Sequence, residues 1–579
     1  MQLFLRFGAA LLGTFFILPA SGQTTYLPAG SPEYGLADRL ETLSGRLSDS
    51  LFTTQKGWSR RDLVRFLQGI PSGKDEVRNP DEIPSFPETT GVSPLTAIDQ
   101  YQVERALGIS SEWSGQELSS RKPLLKHFYQ SKADLFRVKT DNFFLSVNPV
   151  LGFTGMYEKR SPEPTGESSF RYLNTRGAEI RATIANRVGV YSFLTDNQER
   201  FPYHVQQWTE AHQAVPGADY YQTPGSSTYD YLQARGYIDF AAVRNHINIT
   251  LGYDRNSIGD GERSLMLSDF ASSGALFARI RTRIWRLQYE NLFMELTPQY
   301  TRGADQVLPH KYATMHHLSA NVRPWLNVGL FEAVVFDRRD RFSFSYLNPI
   351  IFLRQVERMN GSPDNALVGF NFKALAAKRF QFYGQFVLDE FKLKELTAGN
   401  GWWANKFGAQ LGGKYFNAFG LQNLDLQGEV NLVRPFTYSH GDTLANYTHY
   451  NQPLAHPLEA GFWEANGKIS YRPARNWQIV ARGSFYNKGT DTGGQNLGNN
   501  IFLGNSQNRP SEYGYGLTPG KAAQVLLGEI YTTWEPWPRL FLEAGISGRR
   551  WTLDGHEQKS LQVFTGLRLN LSRRDYLFY

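Results

Sequence analysis

Apolar and polar positions alternate along most of this chain, from about residue 143 to residue 571. The clearest run is 424–432, in which leucine, glycine and valine at the even positions alternate with polar side chains such as Asp425 and Glu429. Successive side chains of a β-strand point to opposite faces, so this pattern predicts strands with one apolar and one polar face. Many such strands in succession are typical of a transmembrane β-barrel, whose outer face meets lipid and whose inner face is polar.

The segments between the strands alternate between short turns and long loops. Short turns are expected at residues 186–187, 244–245, 323–324, 378–379, 473–475 and 536–538. Long loops are expected at residues 158–170, 196–233, 254–273, 297–311, 337–365, 389–405, 435–456 and 488–521, with a shorter one at 553–559. With a first strand at 143–153 and a last one at 561–571, these connections predict about eighteen strands, with sixteen or twenty as alternatives.

An even number of strands places both ends of the barrel on the same side. In bacterial outer-membrane barrels the short turns face the periplasm and the long loops face the outside. We therefore expect an all-β fold, a transmembrane antiparallel β-barrel over residues 140–579, in the outer membrane of a Gram-negative cell. Both termini are expected in the periplasm. The barrel must close, because an open sheet would leave unpaired amides in hydrocarbon.

Alternation also assigns the faces of individual strands. In the last strand, Leu561, Val563, Leu567, Leu569 and Leu571 are expected to face lipid. The interior should then receive Gln562, Arg568 and Asn570. A charged side chain facing lipid at mid-depth costs about 2–4 kcal/mol, whereas the same charge inside meets water or an opposite charge.

The first residues are typical of a secretory signal peptide. Arg6 precedes an apolar stretch at 7–18, and small residues follow at 19–22. This pattern predicts cleavage after residue 22, so that Gln23 begins the mature chain. An uncleaved anchor is the alternative, although the apolar stretch is short for a membrane-spanning helix.

Three short helices are expected between the signal peptide and the barrel. Residues 31–33, 59–62 and 93–94 carry N-cap signatures or a proline suited to a first helical turn. A polar, proline-rich link at 71–87 separates the second helix from the third. We assign residues 23–130 to a small N-terminal α-helical periplasmic domain or plug; a loosely ordered extension is the alternative.

The composition excludes several classes of protein. Mean hydropathy is -0.42, and no apolar run after the signal peptide is long enough for a membrane-spanning helix, which excludes a polytopic helical membrane protein. The net charge of +7 is modest and spread along the chain, so no nucleic-acid partner is expected. The absence of cysteine excludes disulfides, thiolate metal sites and a cysteine nucleophile.

No sequence motif indicates catalysis. Neither a Gly-x-Ser-x-Gly elbow nor a His-Glu-x-x-His pair occurs. His316 and His317 are adjacent on a predicted strand and face opposite ways, so they cannot share a metal ion. We expect no enzymatic activity, no cofactor and no bound metal; a hydrolase assembled from distant strands is the alternative.

Charged residues are expected to line the lumen. Arg279, Arg281 and Arg283 alternate with apolar or small residues and should form a column on the inner wall. Arg482, Glu429 and Glu543 are also expected to face inward. The column either makes the lining anion-selective, or contacts an acidic sugar, or forms a structural ladder. In the ladder interpretation, which we favour, the partners are Glu290, Glu429, Glu529 and Glu543.

The loop after residue 253 contains the densest group of candidate binding residues. These are Asp254, Arg255, Asp260, Glu262, Arg263, Ser268 and Asp269. The arginines have the geometry to bind a carboxylate or phosphate in bidentate fashion, and the acids and the serine to bind hydroxyl groups. The alternative is an internally salt-bridged loop that folds over the lumen. The placement of this loop among the long ones predicts that it faces outward, within reach of a surface glycan.

This loop also carries a family resemblance. The stretch Ile258-Gly259-Asp260-Gly261, followed by Arg263-Ser264-Leu265-x-Leu267-Ser268-Asp269, resembles the Wzi-like capsule assembly proteins. It is most similar to the forms found in Bacteroidetes, which include gliding-motility outer-membrane proteins. The N-terminal Tyr34-x-x-x-Asp38-Arg39-Leu40-Glu41 segment is similar to that group as well. The resemblance implies an eighteen-stranded outer-membrane barrel with a periplasmic helical bundle, and lectin-like attachment of capsular polysaccharide at the cell surface.

One feature departs from the expected pattern. Residues 572–575, Ser-Arg-Arg-Asp, interrupt the alternation just before the end of the chain. Outer-membrane barrels usually finish on an aromatic residue within the last strand, and Tyr579 is aromatic but follows this interruption. The sequence pattern therefore does not decide the register at the end of the last strand.

Aromatic residues cluster in the predicted loops. Trp402 and Trp403 are the strongest candidates for contact with sugar rings, because aromatic rings offer flat apolar surface. Two further groups are residues 220–231, rich in tyrosine, and residues 447–450. The alternatives are an interfacial aromatic girdle and simple packing between loops.

Together these features predict an outer-membrane barrel that binds or organises surface, capsular polysaccharide. A general or substrate-specific porin is the first alternative. A component of gliding motility or adhesion, acting through periplasmic or motility partners, is the second. The expected partners are outer-membrane lipid and surface polysaccharide.

Overall fold

Eighteen antiparallel strands close into a barrel, which confirms the predicted fold class and the predicted strand number. The structure is a computed structural model and describes residues 25–70, 95–116 and 129–576. Short gaps fall at 130, 132, 163–168, 186, 219, 226, 271–272, 302, 304–306, 351 and 391. The predicted signal peptide and the link at 71–87 lie outside the described residues.

The barrel strands are numbered β1 to β18 in chain order. They are Phe143–Ser161, Phe170–Ile184, Val188–Arg200, Thr228–Val243, Ile247–Asp254, Ala275–Ile284, Leu287–Leu296, Lys311–Arg323, Leu326–Phe336, Asn365–Ala376, Phe380–Glu390, Lys406–Tyr415, Leu424–Val433, Phe462–Ala474, Trp477–Thr490, Lys521–Trp537, Leu540–Leu553 and His556–Leu569. Four shorter strands are Phe136–Lys139, Tyr221–Gly225, Thr448–His449 and Gln452–Pro453.

Strand β1 closes the ring. It pairs with β2 on one side and with β18 on the other, where Leu151 lies opposite Leu569 and Ser161 opposite Lys559. Each barrel strand therefore has two neighbours, and the backbone amides of the wall bond to one another rather than to lipid. The connections alternate between short turns and longer segments as predicted, although the last connection is only a two-residue turn at Asp554–Gly555.

Seven helices accompany the barrel in the described residues. Helices α1 to α7 are Pro32–Ser44, Arg60–Gln68, Ala97–Ile109, Ser111–Ser114, Tyr203–His212, Leu353–Met359 and Leu393–Ala398. Short 3-10 turns are Phe344–Leu347, Ala418–Gly420 and Thr443–Ala445. Within the described part of the chain, no helix has both the length and the apolar character needed to cross a membrane.

Local capping explains where the N-terminal helices begin. Helix α1 follows Ser31 with Pro32 in its first turn, and the Ser59 hydroxyl accepts the Asp62 amide hydrogen at the start of α2. The expected start of the third helix, residues 93–94, lies outside the described residues. Helix α3 instead begins after Thr96, which forms a capping box with Asp99.

The assignment of faces holds along the last strand as far as Leu569. Leu561, Val563 and Leu567 are exposed on the outside, whereas Gln562 is buried inside. The expectation that Leu571 faces lipid is wrong. The strand ends at Leu569, Asn570 adopts a left-handed conformation with φ of 54°, and Leu571 turns into the interior. Asparagine is among the residues that tolerate this conformation best.

Candidate functional site

The N-terminal helical segment, residues 25–70 and 95–116, lies inside the barrel at the end with the short turns; we call it the plug. Its amides and side chains reach the turns directly, since the Leu47 amide donates to the Pro324 carbonyl and Gln102 donates to the Arg475 carbonyl. The plug thus fills the part of the lumen enclosed by the turns.

Buried ion pairs join the plug to the wall. Lys414 of β12 lies 2.6 Å from Asp38, and Arg105 lies 2.7 Å from Glu535 of β16. Each of these four side chains is at most 11% exposed to solvent. Displacement of the plug would leave buried charges unpaired, which is costly, so these contacts oppose its movement.

The predicted arginine column on β6 also contacts the plug. Arg281 forms an ion pair of 2.5 Å with Glu290 and donates to the carbonyl oxygens of Gly57 and Lys56. Arg283 pairs with Asp62 of α2 at 3.2 Å. Of the four acids expected to pair with the column, Glu290 alone does so among the described residues.

The third arginine of the column and the remaining predicted lumen residues have other partners. Arg279 donates to the Asn256 side chain, and its guanidinium lies 4.7 Å from the centre of the Tyr26 ring. Glu429 binds backbone amides of a loop, as described below. The ion pairs are Arg482 with Glu529, and Glu543 with Arg568.

The segment between β5 and β6, residues 255–274, folds into the lumen; we call it the inward loop. The Gly259 amide donates to the Thr54 carbonyl of the plug at 2.8 Å, and Leu265 and Met266 are completely buried. The expectation that this cluster faces outward, within reach of a surface glycan, is therefore wrong. The apolar side chains of the loop pack into the inner core and draw the loop inside.

The charged residues of the inward loop are paired with the wall. Arg263 lies 3.3 Å from Glu464, and Glu262 lies 2.8 Å from Lys468. Burial alone would raise the pKa of Glu262, but the Lys468 ammonium lowers that pKa to about 2. The backbone amides of Glu262 and Arg263 both donate to the Glu429 carboxylate, at 2.8 and 3.2 Å. The alternative of a loop folded over the lumen therefore holds, but its ion pairs are formed with the wall and not within the loop.

The other candidate residues bond to the plug, to another loop or to their own loop. Asp260 accepts from the Thr54 hydroxyl at 2.7 Å, and Arg255 donates to the Asp269 carbonyl at 2.9 Å. Asp254 accepts the Arg255 amide hydrogen. The Ser268 amide donates to the Leu454 carbonyl of another loop. Asp269 lines the cavity described next, together with Asp260, Glu262, Arg263 and Ser268.

A cavity of about 510 Å³ remains between the plug, the inward loop and the wall. Lys56 of the plug and Arg472 of β14 are among its basic lining residues, and burial lowers the pKa of Lys56. Sequence reasoning did not single out either of them, although alternation along β14 places Lys468, Ser470 and Arg472 on one face. The described residues contain no group of three or more His, Cys, Asp or Glu that could hold a metal ion.

Residues 434–461, the cover loop, close the inward loop from the other side. The Tyr438 hydroxyl donates to the Leu265 carbonyl at 2.7 Å, and the Tyr447 hydroxyl donates to the Met266 carbonyl at 2.6 Å. His449 donates from Nε2 to the Gly274 carbonyl. The aromatic group predicted near residue 447 therefore packs between loops.

After β18 the chain re-enters the barrel; residues 570–576 are called the tail. Arg573 pairs with Glu529 at 2.5 Å, and Tyr576 donates to Glu199 at 2.9 Å. This path explains why residues 572–575 interrupt the strand pattern. Arg573 and Arg574 pair with acids of the inner wall, and Asp575 pairs with Arg482.

Trp402 and Trp403 lie far from the inward loop in sequence and contact a different set of residues. The Trp403 indole donates to Glu512 at 2.7 Å, and the Arg509 guanidinium lies 3.8 Å from the centre of its ring. The Lys392 ammonium lies 4.5 Å from the Trp402 ring centre. Both indoles are half-buried. The sequence did not indicate Arg509 or Glu512, because a long separation along the chain hides their contact with the tryptophans.

The nine predicted ligand residues thus divide into two groups. Seven belong to β5 and the inward loop, inside the barrel, and two belong to an aromatic cluster on the long loops. We call this cluster, formed by Trp402, Trp403, Arg509, Glu512 and the neighbouring exposed Tyr513, the loop platform.

Comparisons with known proteins identify the fold. No protein-family model matches the chain, and no curated protein matches it. Among solved structures, the chain is similar to Wzi of Escherichia coli, described as an outer membrane protein involved in group 1 capsule assembly and a carbohydrate-binding β-barrel. The TM-score is 0.54 at 12% identity, and the match covers 96% of this chain and 100% of Wzi.

Pseudomonas aeruginosa OprD and OpdK match less well. OprD has a TM-score of 0.40 at 12% identity, over 73% of this chain and 95% of OprD. OpdK, solved with vanillate, has a TM-score of 0.41 at 8% identity, over 73% of this chain and 98% of OpdK. The fold of an outer-membrane β-barrel therefore rests on the similarity to Wzi and on the closed ring of eighteen strands.

Proposed function

We propose that this protein is a closed outer-membrane barrel that binds or organises a surface polysaccharide at its long-loop end. The observation that carries this proposal is the loop platform. It combines two indoles, an arginine and a carboxylate on loops that close over the lumen. In this orientation the long loops are extracellular and the plug lies on the periplasmic side. The expectation that the C-terminus also lies there is not met by the described residues, because the tail runs up the lumen to Glu199 and His204 at the long-loop end.

The chemistry of the platform suits a carbohydrate. A sugar ring presents apolar C–H faces to an aromatic ring, and its hydroxyl groups bind charged and polar side chains at the edge. Trp402 and Trp403 have their ring centres 6.2 Å apart with planes inclined by 58°, so together they form an angled aromatic surface. Arg509 lies over the Trp403 ring, and Glu512 accepts its indole N–H.

The closed interior supports binding rather than transport. The plug occupies the short-turn end, and the inward loop and the cover loop cross the lumen above it. The carbohydrate binding recorded for Wzi, whose fold this chain shares, is consistent with the same assignment.

Binding of purified protein to capsular polysaccharide tests the proposal. We expect Trp402→Ala combined with Trp403→Ala to weaken binding by at least about tenfold, because truncation of buried aromatic anchors commonly costs more than 1 kcal/mol. Trp285→Ala, which removes an exposed indole from a short turn, is the matched control. Equal binding by the double variant and the wild type would refute the platform as the site.

The porin alternative rests on the cavity of about 510 Å³ inside the lumen. It requires the plug and the inward loop to move. Conductance of the purified protein in a planar bilayer separates the two functions, because a steady open-channel current would favour the porin. A role in motility or adhesion instead predicts that deletion of the protein abolishes gliding or attachment and leaves capsule staining intact.

A further inference from the structure

One part of the outer wall is covered by protein. On strand β9, Phe331 and Val335 belong to the inner core, so the alternate positions point outward. One of these, Leu330, is 49% exposed, as a lipid-facing residue should be. The next outward positions are not, since Glu332 is 4% exposed and Phe336 is completely buried. Something other than lipid therefore covers the end of this strand near Phe336.

The cover is the loop between β9 and β10, residues 337–364, which we call the outer flap. It folds back along the outside of the barrel. Tyr346 and Leu353 of the flap form one buried apolar cluster with Val334, Phe336 and Ala366 of the wall. The flap is thus packed against the face that elsewhere meets lipid.

A buried polar contact holds the flap in place. The outward-facing Glu332 carboxylate accepts the amide hydrogens of Phe352 and Leu353, at 2.6 and 2.8 Å. It also lies 2.9 Å from Nδ1 of His316 on the neighbouring strand. A carboxylate exposed to lipid would be costly, but the flap shields Glu332 and its amides supply hydrogen bonds to the carboxylate. Glu332 of the wall therefore fixes the position of the flap.

The far side of the flap is both apolar and basic. Its most exposed side chains include Phe344 at 79% and Met359 at 78%. Ile350 and Phe352 are also exposed. The exposed arginines are Arg339, Arg341, Arg354 and Arg358; Arg354 pairs with the buried Glu357, and Asp340 is an exposed acid among them. The exposed outward residues Leu330, Val368 and Phe370 lie beside the flap, since Val368 is opposite Glu332, which binds the flap, and Phe370 is opposite Leu330.

We propose that the outer flap is a membrane anchor that lies in the lipid leaflet at the long-loop end. Its apolar side chains insert between acyl chains, and its arginines bind the phosphate groups of lipid headgroups. Exposed aromatic and aliphatic side chains beside several arginines are the composition of interfacial anchors, and each basic residue near an anionic surface adds attraction. The position of the flap beside the outward residues Leu330, Val368 and Phe370 selects lipid as the occupant. The inference is independent of polysaccharide binding.

Site-directed spin labelling tests the immersion of the flap. Because the chain has no cysteine, Phe344→Cys and Met359→Cys each introduce a single labelling site. Leu330→Cys is the control for a lipid-facing position, and Val307→Cys, 92% exposed on another long loop, is the control for water. In vesicles of phosphatidylcholine and phosphatidylglycerol, we expect flap labels to be accessible to oxygen and shielded from a water-soluble nickel complex, like Leu330→Cys. Accessibility like that of Val307→Cys would overturn the proposal and favour a protein partner.

A second set of variants tests the phosphate contact. Arg339→Gln, Arg341→Gln and Arg358→Gln together should lower the preference of the protein for spin-labelled phosphatidylglycerol over phosphatidylcholine severalfold. The matched control replaces three exposed arginines at the short turns, Arg244, Arg323 and Arg379, with glutamine. An unchanged preference in the flap variant, or an equal loss in the control, would overturn the assignment of phosphate to these arginines. Unheated and heated samples of a folded barrel differ in mobility on a denaturing gel. A variant that keeps this difference is folded.

Discussion

The Lys373 ammonium on the inner wall lies 2.5 Å from the Glu41 carboxylate of the plug, and each side chain is 1% exposed. This pair joins a strand in the middle of the chain to the first helix of the plug. Asp260 of the inward loop lies 3.8 Å from the same ammonium. One lysine therefore holds the wall, the plug and the inward loop together.

Replacement of this lysine should loosen the plug. Lys373→Met leaves two buried carboxylates without their cation, and removal of one partner from a buried pair costs about 3–5 kcal/mol. We expect brief current bursts from this variant in planar bilayers and none from the wild type. Adding Glu41→Gln removes one of the uncompensated charges and should reduce the bursts. Equal behaviour of the single variant and the wild type would mean that other contacts alone retain the plug.

The cover loop should open as the pH falls. Nδ1 of His449 accepts the Thr297 amide hydrogen while Nε2 donates to the Gly274 carbonyl, so the closed loop requires a neutral imidazole. Burial lowers the pKa of His449 to about 4, from about 6.5 in an open loop. Between about pH 4 and pH 6.5, His449 is therefore protonated more readily in the open loop than in the closed loop. Closure is fully favoured above about pH 6.5 and loses at most about 3 kcal/mol as the pH falls to about 4.

Hydrogen exchange of residues 434–461 as a function of pH measures this opening. His449→Gln keeps an acceptor and a donor but does not titrate, so its exchange should depend less on pH than that of the wild type. The same acid response in both proteins would assign the opening to another group, such as the buried His456 of the same loop.

The inward loop should not tolerate a side chain at Gly261. A Cβ atom there would lie 2.2 Å from Oε2 of Glu429, which binds the amides of Glu262 and Arg263. Gly261→Ala must displace that carboxylate, and we expect a loss of about 1–3 kcal/mol, typical of overpacking. Gly428→Ala, where a Cβ atom would meet nothing within 4 Å, is the control. The unfolding temperatures of the two variants are compared by heating each protein and recording the loss of its folded band on a gel.

Two tyrosine hydroxyls should contribute to closure of the cover loop. Tyr438→Phe and Tyr447→Phe keep the rings but remove the donors to the Leu265 and Met266 carbonyls. Each loss should cost about 0.5–1.5 kcal/mol and accelerate amide exchange in the inward loop. Tyr513→Phe, on the exposed loop platform, should leave that exchange unchanged. If all three variants exchange alike, the apolar core alone holds the inward loop.

The sequence determined the barrel, because the requirements that create it are local. A strand with a period of two, one lipid face and one polar face shows its orientation in a few residues, and the order of turns and loops gives the number of strands. The first-turn Pro32 and the N-cap Ser59 likewise marked helix starts without reference to the rest of the chain. The outward assignments along β18 held for the same reason up to Leu569.

Only the tertiary structure decided where the non-strand segments go and which charges meet. The inward loop and the outer flap are both connections between neighbouring strands, yet one packs inside the barrel and the other outside. Alternation placed Arg281 and Glu429 inside but could not show that one binds the plug and the other binds loop amides. Such pairs form between residues far apart in the chain, and their geometry depends on the register and closure of the whole barrel. The composition of a loop does not contain that information.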